Sequence, residues 1–148
     1  MSFDGALYEQ LKAHAATTAL VGTGTSARIF PAIAPTSAAV PRITYHRIAN
    51  SHVHHMGGAS GLTATTMQID CWDDDYLGAN ALGETVRDAL DGYRGTMGTG
   101  GQTSAVQATF LNGDRTDFFP PTDASQIGFH RVMMEFVFWH TETVPDFV

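Results

Sequence analysis

Apolar and polar residues alternate most cleanly between Thr63 and Trp72. There Thr65, Met67, Ile69 and Cys71 alternate with Thr66, Gln68 and Asp70, the period-2 signature of a half-buried strand. Residues 127–140 read as a last, long strand. Val132, Met134, Phe136 and Phe138 face one way, and Arg131, Met133, Glu135, Val137 and Trp139 the other, so both faces are largely apolar. Ala105 to Leu111 predicts a further strand with Val106, Ala108 and Phe110 on one face. Another opens after Pro41 in the β-branched and aromatic run RITYHRI. With the Thr63–Trp72 strand it suggests a long hairpin.

Two segments carry helical spacing instead. Phe3, Leu7, Leu11 and His14 predict an amphipathic helix over residues 3–15 with Ser2 as N-cap. Leu82, Val86, Leu90 and Tyr93 mark a second helix. Asp73, Asp74 and Asp75 precede it, where carboxylates cap and complement a partially positive N-terminus, and Gly92 or Gly95 ends it. Thr17 is placed to cap a short turn through Ala19, Leu20 and Val21, stopped by Gly22 and Gly24. Arg28 to Pro31 reads as a brief extended piece, and the proline-bracketed PAIAPTSAAVP as an extended connector.

Residues 50–61, 95–104 and 112–125 read as loops. These elements predict an α+β domain over residues 1–140, with two helices packed on one face of a mostly antiparallel sheet of about four main strands. A short C-terminal tail, residues 141–148, follows.

Composition narrows the function. The 148 residues suffice for one domain with its own core. The formal net charge of −7 disfavours a surface built to grip nucleic acid or an anionic membrane. No basic patch is interleaved with aromatics, no apolar run approaches the length that spans a bilayer, and the N-terminal stretch has no signal-peptide pattern. A soluble protein made in a cytoplasm is expected. The single cysteine, Cys71, leaves no intrachain disulfide and falls on the apolar face of its strand, as a buried small hydrophobe would.

Candidate catalytic motifs fail on spacing. His52, His54 and His55 have the residue type for Zn²⁺ or Ni²⁺, and a small metal-dependent enzyme using that loop is one reading. A metal site needs three or four converging ligands, and the chain has no HExxH or CxxC. GASG at 58–61 lacks the spacing of a nucleophile elbow, the glycine-rich pieces lack a P-loop lysine, and Asp73–Asp75 lack EF-hand spacing. No catalytic residue, metal or cofactor is expected.

The chain resembles the tail-completion, or tail-terminator, family of long-tailed phages. The matching pieces, in order, are ALYEQLKAHAATTALVG, RIFPAIAP, VPRITYHRI, GGASGLT, MQIDCWDDDYLGANAL, ALDGYRG and HRVMMEFVFWH. The HVHH stretch and the TVPDFV tail depart from the pattern.

The resemblance implies a structural virion protein without catalysis, located at the head-proximal end of the tail and assembled in the host cytoplasm. It implies a homo-oligomeric ring, a hexamer, that caps the tail tube and stops its polymerisation. Its partners are the tail tube protein and a head-completion or stopper protein. DNA passes the lumen without specific binding, and no membrane is involved. A neighbouring role, as stopper or tube subunit, is the alternative.

Residues expected to make inter-protein contacts are His52, His54, His55 and Met56 in the first long loop. Phe118 and Phe119 serve in the loop 112–124, and Met133, Val137 and Trp139 on the outer face of the last strand.

Overall fold

A computed structural model describes residues 3–35, 37–123, 128–145 and 147. The proposed N-cap Ser2, the segment 124–127 at the end of the third expected loop and the start of the last strand, and part of the tail lie outside them.

Among the described residues, three α-helices and six strands replace the expected two helices and about four main strands. The helices are α1 (Phe3–Ala13), α2 (Ala15–Val21) and α3 (Tyr76–Leu90). The strands are β1 (Ile29–Pro31), β2 (Arg42–His55), β3 (Gly58–Asp73), β4 (Gly95–Thr99), β5 (Gln102–Phe119) and β6 (Phe129–Thr141). They form one mixed sheet in the order β1-β2-β3-β6-β5-β4, curled into a half-barrel. Among the described residues only the β1–β2 pair is parallel, and the other four pairs are antiparallel.

The sequence reading fails where strands leave the helix layer. Residues 50–61 are not a loop: they complete β2 and begin β3, turning only at Met56–Gly57. Residues 95–104 hold β4 and the start of β5, and residues 112–119 are the second half of β5. Period-2 patterning exists only where one face of a strand is buried. The far halves of β2 and β5 are largely exposed, so both faces tolerate polar residues. Backbone pairing holds them instead, such as His52 opposite Thr63 and Asp117 opposite Arg131.

Bulges also change which face a residue occupies. An irregularity between Val106 and Ala108 puts Val106 on the helix side, while Ala108 and Phe110 lie opposite Trp139 and Val137 on the other face. The expected common face of these three residues is therefore broken by one extra residue.

α1 ends at Ala13, short of the predicted residue 15, because His14 is extended (φ −80°, ψ 113°) and acts as N-cap of α2. Thr17 is fully buried inside α2, its Oγ1 3.0 Å from His14 Nδ1. In α3, Asp75 caps as expected, its carboxylate accepting from Gly78 N at 3.2 Å.

The core lies between the helices and one face of the sheet. Ile43, Tyr45, Met67, Ile69, Cys71, Val132, Met134, Phe136 and Phe138 supply the sheet side. Leu7, Leu11, Leu82, Val86 and Leu90 supply the helix side. Gly83 sets the approach of α3 to the sheet, since a Cβ there would lie 3.1 Å from Val132 Cγ1. Cys71 is fully buried, and burial pushes its thiol pKa up, which makes it a packing residue and not a nucleophile.

Candidate interaction surface

Among the described residues, the second face of the sheet carries no helix. On β6 its residues Arg131, Met133, Glu135, Val137 and Trp139 are all half-buried, alternating with the buried Val132, Met134, Phe136, Phe138 and His140. Trp139 sits between Ala64 of β3 and Ala108 of β5, and Val137 between Thr66 and Phe110. Phe110 is 56% exposed. The three residues expected on the outer face, Met133, Val137 and Trp139, thus share that face, with Val137, Trp139 and Phe110 forming an apolar patch that Glu135 separates from Met133.

At one end of that face is a cation–aromatic cluster that patterning did not reveal. The guanidinium of Arg131 lies 5.5 Å from the Trp72 ring and 4.9 Å from the Phe119 ring. Its Nη2 donates to Asp117 Oδ2 at 2.7 Å, which holds the Asp117 carboxyl below the usual carboxylate range. Arg42 lies 5.0 Å from the Phe129 ring and 5.8 Å from Trp72. The four strands bring these residues into register, as Arg42 faces Trp72, Trp72 faces Arg131, and Arg131 faces Asp117. The signal was present as single charged and aromatic residues in separate strands. Only the sheet order joins them.

Beside this cluster a cleft of about 390 Å³ opens between Ile33 and the sheet, lined by Arg42, Thr44, Asp70, Trp72 and Arg131. Asp70 is buried and accepts from Gln68 Nε2 at 3.0 and 3.1 Å. Burial raises its pKa, partly offset by that hydrogen bond and by Arg131.

The hairpin arm of β2 and β3 carries the histidines. His52 Nδ1 lies 3.1 Å from Thr63 Oγ1 and 3.5 Å from Glu142 Oε2. His54 is opposite Ala59. His55 folds back so that its Nδ1 accepts from Gly57 N at 3.0 Å. Met56 is fully exposed at the tip. His52 and His55 turn to separate partners, and among the described residues no three His, Cys, Asp or Glu side chains are grouped to hold a metal ion. The arm also holds the residue that follows β6, since Glu142 N donates to Gly61 O at 2.6 Å.

Phe118 and Phe119 do not share a site. Phe118 is 55% exposed and lies 4.8 Å from the His130 ring, whereas Phe119 lies 5.4 Å from the Trp72 ring on the open face. Alternation along β5 separates them.

His140 was not singled out by sequence and is the least ordinary polar group inside the fold. It is 1% exposed, stacks on Phe3 with centroids 4.6 Å apart, and places Nε2 2.6 Å from Thr65 Oγ1. Its Nδ1 has no hydrogen-bond partner among the described residues. Burial lowers its pKa, which keeps the ring neutral.

The arrangement offers an apolar patch, an aromatic–arginine cluster and a hairpin arm, a set suited to protein contacts. A search of curated proteins finds no match. Among solved structures, a chain of the virion of a native gene transfer agent (GTA) particle has a similar fold. It superposes with a TM-score of 0.67 at 19% sequence identity, covering 92% of this chain and 92% of its own. The family model for tail completion protein gp17 matches residues 5–140, nearly the whole chain, and the protein therefore belongs to the tail-completion family of phage tail structural proteins.

Proposed function

We propose that this protein is a tail terminator without catalytic activity. Copies assemble into a ring, a hexamer, that seats on the last ring of the tail tube, stops its polymerisation and meets a head-completion or stopper protein on its other side. The ring lies at the head-proximal end of the tail and is assembled in the host cytoplasm. DNA passes through its lumen without being held, and a net acidic subunit suits a passage that does not trap DNA.

The observation that carries this reading is the family match over residues 5–140. The one-sided helix layer supports it, because a half-open sheet face with the apolar patch of Val137, Trp139 and Phe110 leaves surface available to partners. Replacement of the three histidines by Ala should leave the fold intact, since they lie outside the core.

The test is imaging of tails assembled without this protein. Overlong tube or headless tails are expected. Tails of normal length with heads attached would refute the terminator role. Purified protein that polymerises into long filaments would instead favour a tube subunit.

A further inference from the structure

Both margins of the sheet are only half covered. β1 pairs with β2 at Ile43–Tyr45, and the outer edge of β2 from His46 to His55 has no strand beside it among the described residues. β4 pairs with β5 at Gln102–Val106. The turn after α3 then covers two more groups, as Gly92 N donates to Thr109 O at 3.1 Å and Leu111 N donates to Asp91 Oδ1 at 3.3 Å. From Asn112 to Phe119 the outer edge of β5 is again without a neighbouring strand among the described residues. An unpaired edge is a row of backbone donors and acceptors that templates another strand.

We propose that the open edge of β5, residues 112–119, pairs with the open edge of β2, residues 46–55, of a second copy of this chain. The sheet then continues from subunit to subunit. The inference rests on the ring reading above and names its contact. Three observations support it.

The first is direction. β2, β3, β6 and β5 are joined by three antiparallel pairings, so β2 and β5 run in opposite senses. Rotating a second copy beside the first keeps its orientation, and its β2 meets β5 antiparallel, continuing the alternation already present. The second is chemistry. Residues 46–55 contain Arg47, His46, His52, His54 and His55 and no carboxylate. Residues 112–119 contain Asp114 and Asp117 with Arg115. Arg47 is ion-paired with Asp4, and Asp117 with Arg131, within the chain; two β2 edges would still bring imidazoles only to imidazoles, whereas unlike edges bring them to the Asp114 carboxylate. The third is exposure. Ile48 and Val53 on one edge, and Phe118 and Phe119 on the other, are exposed apolar residues that a neighbour would cover.

The unlike edges lie at opposite margins of one sheet, so each copy offers one of each. That is a head-to-tail interface, which closes into a ring at the right rotation. Covered stretches are staggered, with β1 at the Ile43 end and β4 at the Val106 end. Pairing therefore shifts neighbours along the strand direction, the stagger that tilted strands need to close a barrel.

Disulfide trapping tests this. Ser51→Cys is combined in turn with a cysteine at each position from 112 to 119, and the assembled protein is oxidised. Cys71 is fully buried and does not interfere. At least one pairing should give a ladder of linked oligomers on a non-reducing gel, since opposed residues reach disulfide geometry. In the unmodified protein, hydrogen exchange of segments 46–55 and 112–119 should slow together on assembly. Rings seen by mass photometry with no ladder from any pairing, and no slowing at these segments, would overturn the inference and leave the ring standing. Crosslinking by a cysteine in β5 alone would mean like edges pair, and would also overturn it. A chain that stays monomeric even on tail tubes would sink the ring reading, and the inference with it.

Discussion

Adjacent residues on β6 lie on opposite faces of the sheet, one buried and one partly open. Phe138 is fully buried, with ring centroids 4.9 Å from Phe3 and 5.9 Å from Phe136. Phe138→Ala opens a cavity in a core that cannot collapse onto it and loses two aromatic contacts, a cost of about 3–5 kcal/mol. For a domain of this length that corresponds to a melting temperature lowered by roughly 6–20 °C. Trp139 faces the other way, half-buried between two alanines, Ala64 and Ala108. Trp139→Ala leaves no enclosed void, so the monomer loses only the burial of the ring against the sheet, roughly 2 kcal/mol and less than Phe138→Ala. If the open face is an assembly surface, the same change weakens association strongly, because large aromatic residues dominate interface energetics. Thermal melts of the dilute monomer and mass photometry across a concentration series measure the two effects. A Trp139→Ala monomer as unstable as Phe138→Ala, with unchanged assembly, would refute the division of labour between the faces.

Two further outcomes follow from the cluster and from His140. Replacing Phe118 and Phe119 together by Ala should lower monomer stability by only roughly 1–2 kcal/mol, since both rings are largely at the surface, while weakening assembly; a collapse in thermal stability would make them core residues. His140 is neutral when folded and titrates near pH 6.5 when unfolded, so the unfolded chain binds more protons as pH falls. Its contribution is fully present above about pH 6.5 and is lost as pH falls toward the depressed folded pKa. His140→Gln should flatten the pH dependence of denaturant stability in that window, and an unchanged slope would show that His140 charges freely inside the fold.

The tail-completion resemblance visible in pieces such as MQIDCWDDDYLGANAL and ALDGYRG survives comparison with the family over residues 5–140. Burial also follows the written alternation on β6, because that strand lies directly beneath the helices and one face must be dry. Asp75 caps α3 because a cap is a local interaction between residues three apart. Gly22, with φ 96°, ends α2 for the same local reason, a backbone angle that side chains rarely adopt.

What the sequence determined by itself is therefore what short range enforces: helix spacing, caps, and strands pressed against a core. Tertiary structure alone decided the six-strand order, the parallel β1 and the extension of β2, β3 and β5 beyond the helix layer. There side-chain pattern is silent and cross-strand backbone pairing alone keeps the chain extended. It also assembled Arg42, Trp72, Arg131, Asp117 and Phe119 from separate strands, and it turned two expected loops into open sheet edges. Those features depend on which strand lies beside which, a relation between distant residues that no local periodicity encodes.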